Sequence, residues 1–197
     1  MREIRRTAAL QAGILFGWVV VAWAVEGVDR WVYAGALEQY GIHPRDVPRL
    51  WGILAAPLLH AGWLHLGANT GPFVILGWLV MLRRIADFWI VTALAVLIGG
   101  LGVWLLAPAN TVHLGASGVI FGYLGYLLAR GYFERSVAAT GLALTALVLY
   151  GGILLGVLPG QPGISWQGHV FGFIGGGVAA WVLVRSHSRR KPRPARV

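Results

Sequence analysis

The sequence predicts an all-α protein embedded in a membrane, a single bundle of six transmembrane helices. Of its 197 residues, 57% are hydrophobic and only 12% are charged, whereas a soluble domain is about half apolar and a quarter charged. The mean hydropathy is +0.70. Six apolar segments can be drawn, and most are long enough to cross a hydrocarbon core of about 30 Å, which takes ~20 helical residues. We therefore expect one polytopic domain.

The apolar segments and the polar stretches between them predict the order of elements. After the first segment, a long loop at 26–56 mixes aromatic residues such as Trp31 and Tyr40 with acidic ones, which is typical of a structure lying at the bilayer interface. Residues 1–185 are expected to form the membrane domain, and residues 186–197 a basic cytoplasmic tail. The six segments cover roughly 7–25, 57–82, 88–107, 117–130, 136–158 and 167–185.

The basic residues predict the orientation in the membrane. With six spans, the N-terminus, the loops at 83–87 and 130–135 and the C-terminal tail share one side, which holds 13 of the 16 lysines and arginines. By the positive-inside rule, both termini are expected in the cytoplasm, with the chain in the cell (inner) membrane.

Composition also excludes some functions. The chain has no cysteine, which rules out disulfides, a thiolate nucleophile and a thiolate metal site. The net charge of +9 could indicate nucleic-acid binding. However, the basic residues lie at the ends of apolar runs and in one tail cluster, which suits anionic lipid headgroups better. We expect the lipid bilayer as a partner and no nucleic acid.

A helix that begins at Ser117, the first residue of the fourth segment, is too short to cross the whole membrane. From Ser117 to Arg130 a helix rises about 20 Å at ~1.5 Å per residue. If Arg130 marks the cytoplasmic face, Ser117 lies about 10 Å below the opposite surface. The loop 108–116 must then dip into the membrane, where irregular backbone is tolerated only around a cavity or inside protein.

Three further polar side chains fall at nearly the same depth, on the non-cytoplasmic side. Measured from the nearest arginine along the helix, His169 lies about 24 Å, Asn69 about 21 Å and His65 about 27 Å from the cytoplasmic face. His65 and Asn69 are four residues apart and share one helix face. Such groups are costly in a membrane and usually functional, although a polar network that only joins helices is the simpler interpretation.

These residues predict serine chemistry. Ser117 is the candidate nucleophile, and His169 is the base that takes its proton. After Asp87 the only carboxylate is Glu134, on the cytoplasmic side, so we expect a dyad rather than a triad. His65, Asn69 and the backbone amides of Ala116 and Ser117 are the predicted oxyanion site.

Small and aromatic residues surround the predicted dyad. Glycines allow two helix backbones to approach closely, as a hydrogen bond between the helices of Ser117 and His169 would require. The residues predicted to pack the helices together near the site are Gly115, Gly118, Phe121, Gly172 and Gly176.

The ordered motifs resemble those of the rhomboid intramembrane serine proteases, in their six-helix bacterial form. They are His60-x4-His65-x3-Asn69, then Gly115-Ala-Ser-Gly118, then Gly168-His169-x2-Gly172-x3-Gly176, within residues 45–180. The resemblance implies a Ser117–His169 dyad without cofactor or metal, and an oxyanion site of His65, Asn69 and the Ser117 amide. It further implies that transmembrane protein substrates are cleaved near the extracytoplasmic face, often beside small residues.

The sequence departs from the family pattern at three places. Trp51-Gly52 stands where the family has Trp-Arg, so the anchoring of the long loop is open. Phe121 stands where Tyr is frequent, which keeps an aromatic ring and loses the hydroxyl. A glutamate usual near the cytoplasmic end of the second helix is missing from residues 79–86.

Other functions are disfavoured or left open. The main alternative is a non-catalytic rhomboid-like scaffold that binds transmembrane helices, although such proteins typically lack the serine or the histidine. A zinc protease would need a His-Glu-x-x-His motif, which is absent. Haem ligation by His65 and His169, or a metal held by His60, His113 and His169, is a further alternative. A transporter would show internal repeats. The substrate and the oligomeric state are left open.

Overall fold

The structure, a computed structural model, describes the backbone of residues 1–190 and the side chains up to residue 186. Within this range it contains seven α-helices and no strand, which confirms the predicted all-α class. Five helical stretches are long and apolar enough to cross a membrane: 2–32, 63–81, 85–106, 137–157 and 166–186. The helices are α1 (Arg2–Val32), α2 (Gly52–Ala55), α3 (Trp63–Met81), α4 (Ile85–Leu106), α5 (Ser117–Glu134), α6 (Val137–Tyr150) and α7 (Trp166–Arg190).

Helix α5 is the centre of the bundle. It packs against α3, α4, α6 and α7, and its side chains are buried without a break from Val119 to Leu127. It starts at Ser117, as predicted, and runs four residues beyond the predicted end at 130. A helix surrounded by protein does not need the apolar exterior of a lipid-facing span, which explains why α5 is absent from the five apolar stretches.

The region between α1 and α3 is more helical than the predicted loop. Helix α1 continues to Val32, beyond the predicted end at 25. A 3-10 helix follows at Ala36–Tyr40, and α2 runs directly into a second 3-10 helix at Ala56–Leu58. An isolated antiparallel bridge joins Ile42 to His113 and fixes this region to the loop that precedes α5.

In the C-terminal part of the chain, α6 is followed by a 3-10 helix, Gly151–Val157. Helix α7 then extends through the first five residues of the predicted tail, to Arg190. Residues 191–197 of that tail lie outside the described residues.

Glycines bring α7 into backbone contact with α5 and α4. A side chain at Gly172 would collide with the carbonyl of Gly118, and one at Gly176 with the carbonyl of Gly122. A Cβ at Gly99 of α4 would lie 3.3 Å from the backbone of Gly172. Since nothing larger fits, α5 and α7 are held at the separation that small residues permit in membrane proteins.

Two polar clusters hold the ends of the bundle. At the end where α5 finishes, Arg130 is only 5% exposed, and its Nε donates to Glu134 at 2.8 Å. The hydroxyl of Tyr126 donates to the buried Asp87. At the opposite end, Arg30 pairs with Glu26 and Glu38, each at 2.8 Å. Buried charges need such partners. Arg130 was predicted at the start of a loop at 130–135, but it lies inside α5, where its buried side chain pairs with Glu134.

Candidate active site

Ser117 is the first residue of α5, and the loop in front of it is tightly fixed. The amide of Gly115 donates to the carbonyl of Ala56 at 2.8 Å. Gly115 has φ +113°, and a Cβ there would lie 2.9 Å from the imidazole of His65. Only glycine adopts this backbone conformation readily, so the Gly115-Ala-Ser117 sequence turns the chain into α5 with His65 against its backbone.

His169 lies in the first turn of α7, and its imidazole is fixed on two sides. The ring stacks on Phe121, with centroids 4.1 Å apart and an angle of 7° between the planes. Its Nδ1 lies 2.8 Å from the carbonyl oxygen of Gly156. A Cβ at Gly156 would lie 3.0 Å from this same Nδ1, so a larger residue there would push against the imidazole.

The other ring nitrogen of His169 faces Ser117, with Nε2 and Oγ 2.8 Å apart. Because a carbonyl oxygen can only accept, Nδ1 carries the ring proton and donates it to Gly156. The lone pair on Nε2 then accepts the hydroxyl proton of Ser117. Within the described part of the chain, the two ring nitrogens are therefore hydrogen-bonded to a backbone carbonyl and to a serine hydroxyl, and neither partner is a carboxylate.

His65 and Asn69 project from one face of α3 into the same cavity as Ser117. The Nδ1 of His65 accepts the Ala61 amide at 3.2 Å, which leaves the proton on Nε2, next to Gly115. The side-chain amide of Asn69 donates one hydrogen to the carbonyl of His65 at 3.1 Å and has a second hydrogen available. Two N–H donors therefore lie on this side of Ser117.

The predicted donor amide of Ala116 has a partner inside the protein. It points at Nε2 of the buried His60, at 3.4 Å. His60 also packs edge-to-face with His65, with ring centroids 5.2 Å apart. The structure thus places His60 behind the loop, where it supports His65 and the start of α5.

A cavity of about 680 Å³ opens over the Ser117–His169 pair. This volume is in the range of ligand-binding clefts. Among the described residues, no group of three or more histidines and acidic residues could hold a metal ion. The cavity is lined by Ser117 and His169, by His65 and Asn69, and also by Glu38, Thr111, His113 and Ser165.

Sequence reasoning missed three of the groups at this site. The carbonyl of Gly156 could not be predicted, since every residue carries a carbonyl. Ser165 lies in a polar stretch that shows no motif. Thr111 is one of several hydroxyl residues in loops. His113, considered above only as a possible metal ligand, lies in the lining of the cavity.

Comparison with known proteins gives the family. Residues 47–186 match the model of the rhomboid domain. An uncharacterized protein of Mycobacterium tuberculosis is 44% identical over 183 residues, which cover 89% of this chain and 75% of the relative. A Bacillus subtilis protein named "Putative rhomboid protease YdcA" is 30% identical over 144 residues, or 71% of this chain and 70% of that protein.

A more distant relative comes from a plant. RHOMBOID-like protein 4 of Arabidopsis thaliana is 30% identical over 142 residues, which cover 70% of this chain and 35% of the relative. The matched rhomboid domain covers most of the chain, from the region before α2 to the described end of the α7 side chains. Together with the five apolar helical stretches, the match establishes that this multi-pass membrane protein belongs to the rhomboid family.

Proposed function

We propose that this protein is an intramembrane serine endopeptidase that cleaves transmembrane segments of other proteins with a Ser117–His169 dyad. The observation that carries the proposal is the 2.8 Å contact between Ser117 Oγ and His169 Nε2. The contact has the geometry of a nucleophile and its general base. The carbonyl of Gly156 supports it, because it fixes the imidazole in the tautomer that accepts the serine proton.

In the first step, Ser117 Oγ attacks the carbonyl carbon of the scissile peptide while its proton moves to Nε2 of His169. The imidazolium that forms keeps its hydrogen bond from Nδ1 to the Gly156 carbonyl. It then donates the Nε2 proton to the leaving amine, and an acyl-enzyme remains on Ser117. Water activated by the neutral His169 hydrolyses this ester and restores the serine.

The negative charge that develops on the substrate oxygen needs preorganised donors. The proposed donors are the backbone amide of Ser117, Nε2–H of His65 and the second amide hydrogen of Asn69. The amide of Ser117 belongs to the first turn of α5, where backbone N–H groups have no helical partner and the helix dipole is favourable to an anion. One such donor typically contributes about 10²–10³ in rate.

The proposed substrates are single-span membrane proteins. Family membership supports membrane proteins as the substrate class. The cavity beside the buried helix α5 supports it as well, because the scissile peptide bond must reach a serine that lies inside the helix bundle. We further propose the six-span topology with α5 as the central span, both termini in the cytoplasm and the cavity open to the other side, in the cell membrane.

A reconstitution experiment tests the proposal. The wild-type protein in liposomes is expected to cleave at least one member of a panel of single-span substrates within or next to its transmembrane segment. Ser117→Ala should cleave none, and Ser186→Ala, which removes a serine hydroxyl at the other end of the bundle, should cleave normally. Binding of the substrates without any cleavage by the wild-type protein would instead indicate the non-catalytic scaffold.

A further inference from the structure

We propose that His113 and Ser165 are positioning residues that keep Ser117 and His169 at hydrogen-bond distance. This inference rests on the proposed function and adds a second Ser–His contact to the same site. His113 Nδ1 lies 2.7 Å from Ser165 Oγ. Both residues line the cavity above the proposed dyad.

Both Ser–His contacts connect the chain at the start of α5 with the chain at the start of α7, and they do so with the same spacing in sequence. His113 lies four residues before Ser117, and Ser165 lies four residues before His169. Both contacts therefore span 52 residues, with serine and histidine exchanged between the segments. Helices α5 and α7 start side by side and run in the same direction, so the His113–Ser165 contact lies just outside the Ser117–His169 contact.

Glycines hold the same pair of helices on the inner side of the dyad. Gly172 touches the backbone of Gly118, and Gly176 touches that of Gly122. The Ser117–His169 distance is thus set from both sides, by backbone contact deeper in the bundle and by the His113–Ser165 hydrogen bond nearer the surface. Without the outer contact, the start of α7 would be held to α5 by the glycine contacts and by the stacking of His169 on Phe121, both on the inner side.

The protons in the outer contact can be assigned from its partners. Thr111 Oγ1 donates its one proton to the carbonyl of Pro108 at 2.6 Å, so it must accept from His113 Nε2, 2.8 Å away. Nδ1 of His113 is then an acceptor, and Ser165 Oγ–H donates to it. Burial lowers the pKa of His113, which favours this neutral form.

The backbone of His113 is also fixed, which makes its side chain a firm support. The amide of His113 donates to the carbonyl of Ile42 at 3.0 Å, and its carbonyl accepts the Ile42 amide at 2.8 Å. The carbonyl of Ser165, in turn, accepts the amide of His169 at 3.1 Å. A chain of hydrogen bonds therefore leads from Ile42 through His113 and Ser165 to the proposed base.

The test compares Ser165→Ala, Ser165→Thr and the control Ser186→Ala. For each we would measure kcat and KM on a single-span substrate, the rate of covalent labelling by a fluorophosphonate, and the melting temperature. Ser165→Ala should lower kcat and the labelling rate roughly 10-fold, because misplacement by about 1 Å can cost ~10²-fold and the glycine contacts remain. KM and the melting temperature should match those of Ser186→Ala. Ser165→Thr, which keeps the hydroxyl, should recover most of the rate.

Adding His113→Ala to Ser165→Ala should slow the reaction no further than His113→Ala alone, because the two side chains act as a unit. Wild-type kcat in Ser165→Ala would overturn the positioning role and leave the proposed function intact. Equal losses in the Ala and Thr variants, or a melting temperature that falls together with kcat, would also overturn it. A wild-type protein that neither labels nor cleaves would overturn the proposed function itself, and the positioning role with it.

Discussion

At the scale of single residues, the environment of His169 determines what the site can do. Phe121 covers one face of the ring, the Gly156 carbonyl holds Nδ1–H, and Ser117 faces Nε2. In many serine hydrolases a carboxylate holds the equivalent N–H and stabilises the imidazolium. A neutral carbonyl stabilises that cation less, so the resting histidine in this site is expected to be neutral.

This neutral state predicts the pH dependence of activity. Only unprotonated His169 can accept the proton of Ser117, so kcat/KM should fall as the pH is lowered through the titration of this histidine, with the slope of a single proton. The measurement is a pH–rate profile in liposomes, with circular dichroism at each pH to verify that the helices persist. A rate that stays constant down to the pH of unfolding would contradict the role of His169 as base.

Asn69 offers a test of the oxyanion site. Asn69→Ala should lower kcat roughly 10²–10³-fold, because one donor to the transition state is lost. KM and the melting temperature should change little, since the hydrogen bond that the Asn69 amide donates among the described residues stays within its own helix, at His65. Asn110→Ala is the matched control, because Asn110 is exposed in the loop before α5. Equal kcat values in the two variants would mean that Asn69 is structural.

At the scale of elements, the contact between α5 and α7 brings the serine and the histidine together. Gly172→Leu would drive a branched side chain into the backbone of Gly118. We expect it to lower the free energy of unfolding by about 1–3 kcal/mol and to reduce cleavage strongly. Gly177→Leu is the control on the same helix, because a Cβ at Gly177 would have no neighbour within 4 Å. Similar stability and activity in the two variants would show that the close contact is unimportant.

Much of this element-level organisation could be predicted from the sequence. Apolar runs predicted the helices, and the spacing of glycines predicted which faces pack closely, because both signals are local. The ends of the helices were less predictable. Helix α5 continues past Arg130 to Glu134, which lies one turn later and accepts a hydrogen bond from the buried guanidinium. A charge at the end of an apolar run does not reveal whether it meets water or another side chain.

Contacts across the fold explain what else the sequence did not reveal. The Gly156 carbonyl and the Ser165 hydroxyl meet their histidines only after α7 has packed on α5. Ala116 illustrates the same limit. The sequence predicted its amide as an oxyanion donor, yet that amide points at His60, a residue 56 positions earlier.

At the scale of the whole molecule, the charge distribution predicts the topology. Reporter fusions at residues 84 and 133 should be cytoplasmic, and fusions at 40 and 162 should be exposed on the other side. The prediction follows from the excess of basic residues on one side. Position 84 lies between α3 and α4, and position 162 lies between α6 and α7. External labelling at 84 or 133 would contradict both the topology and the proposed depth of Ser117.

The most direct test is covalent labelling of the intact protein by a mechanism-based serine reagent, with the modified residue located by mass spectrometry. A serine without a base would be unreactive, whereas Ser117 beside His169 should be a nucleophile. The dyad predicts a single adduct on Ser117, absent in Ser117→Ala and nearly absent in His169→Ala, with both variants still folded. Adducts on another serine, or no labelling of the wild-type protein where a known rhomboid protease is labelled, would contradict the Ser117–His169 dyad.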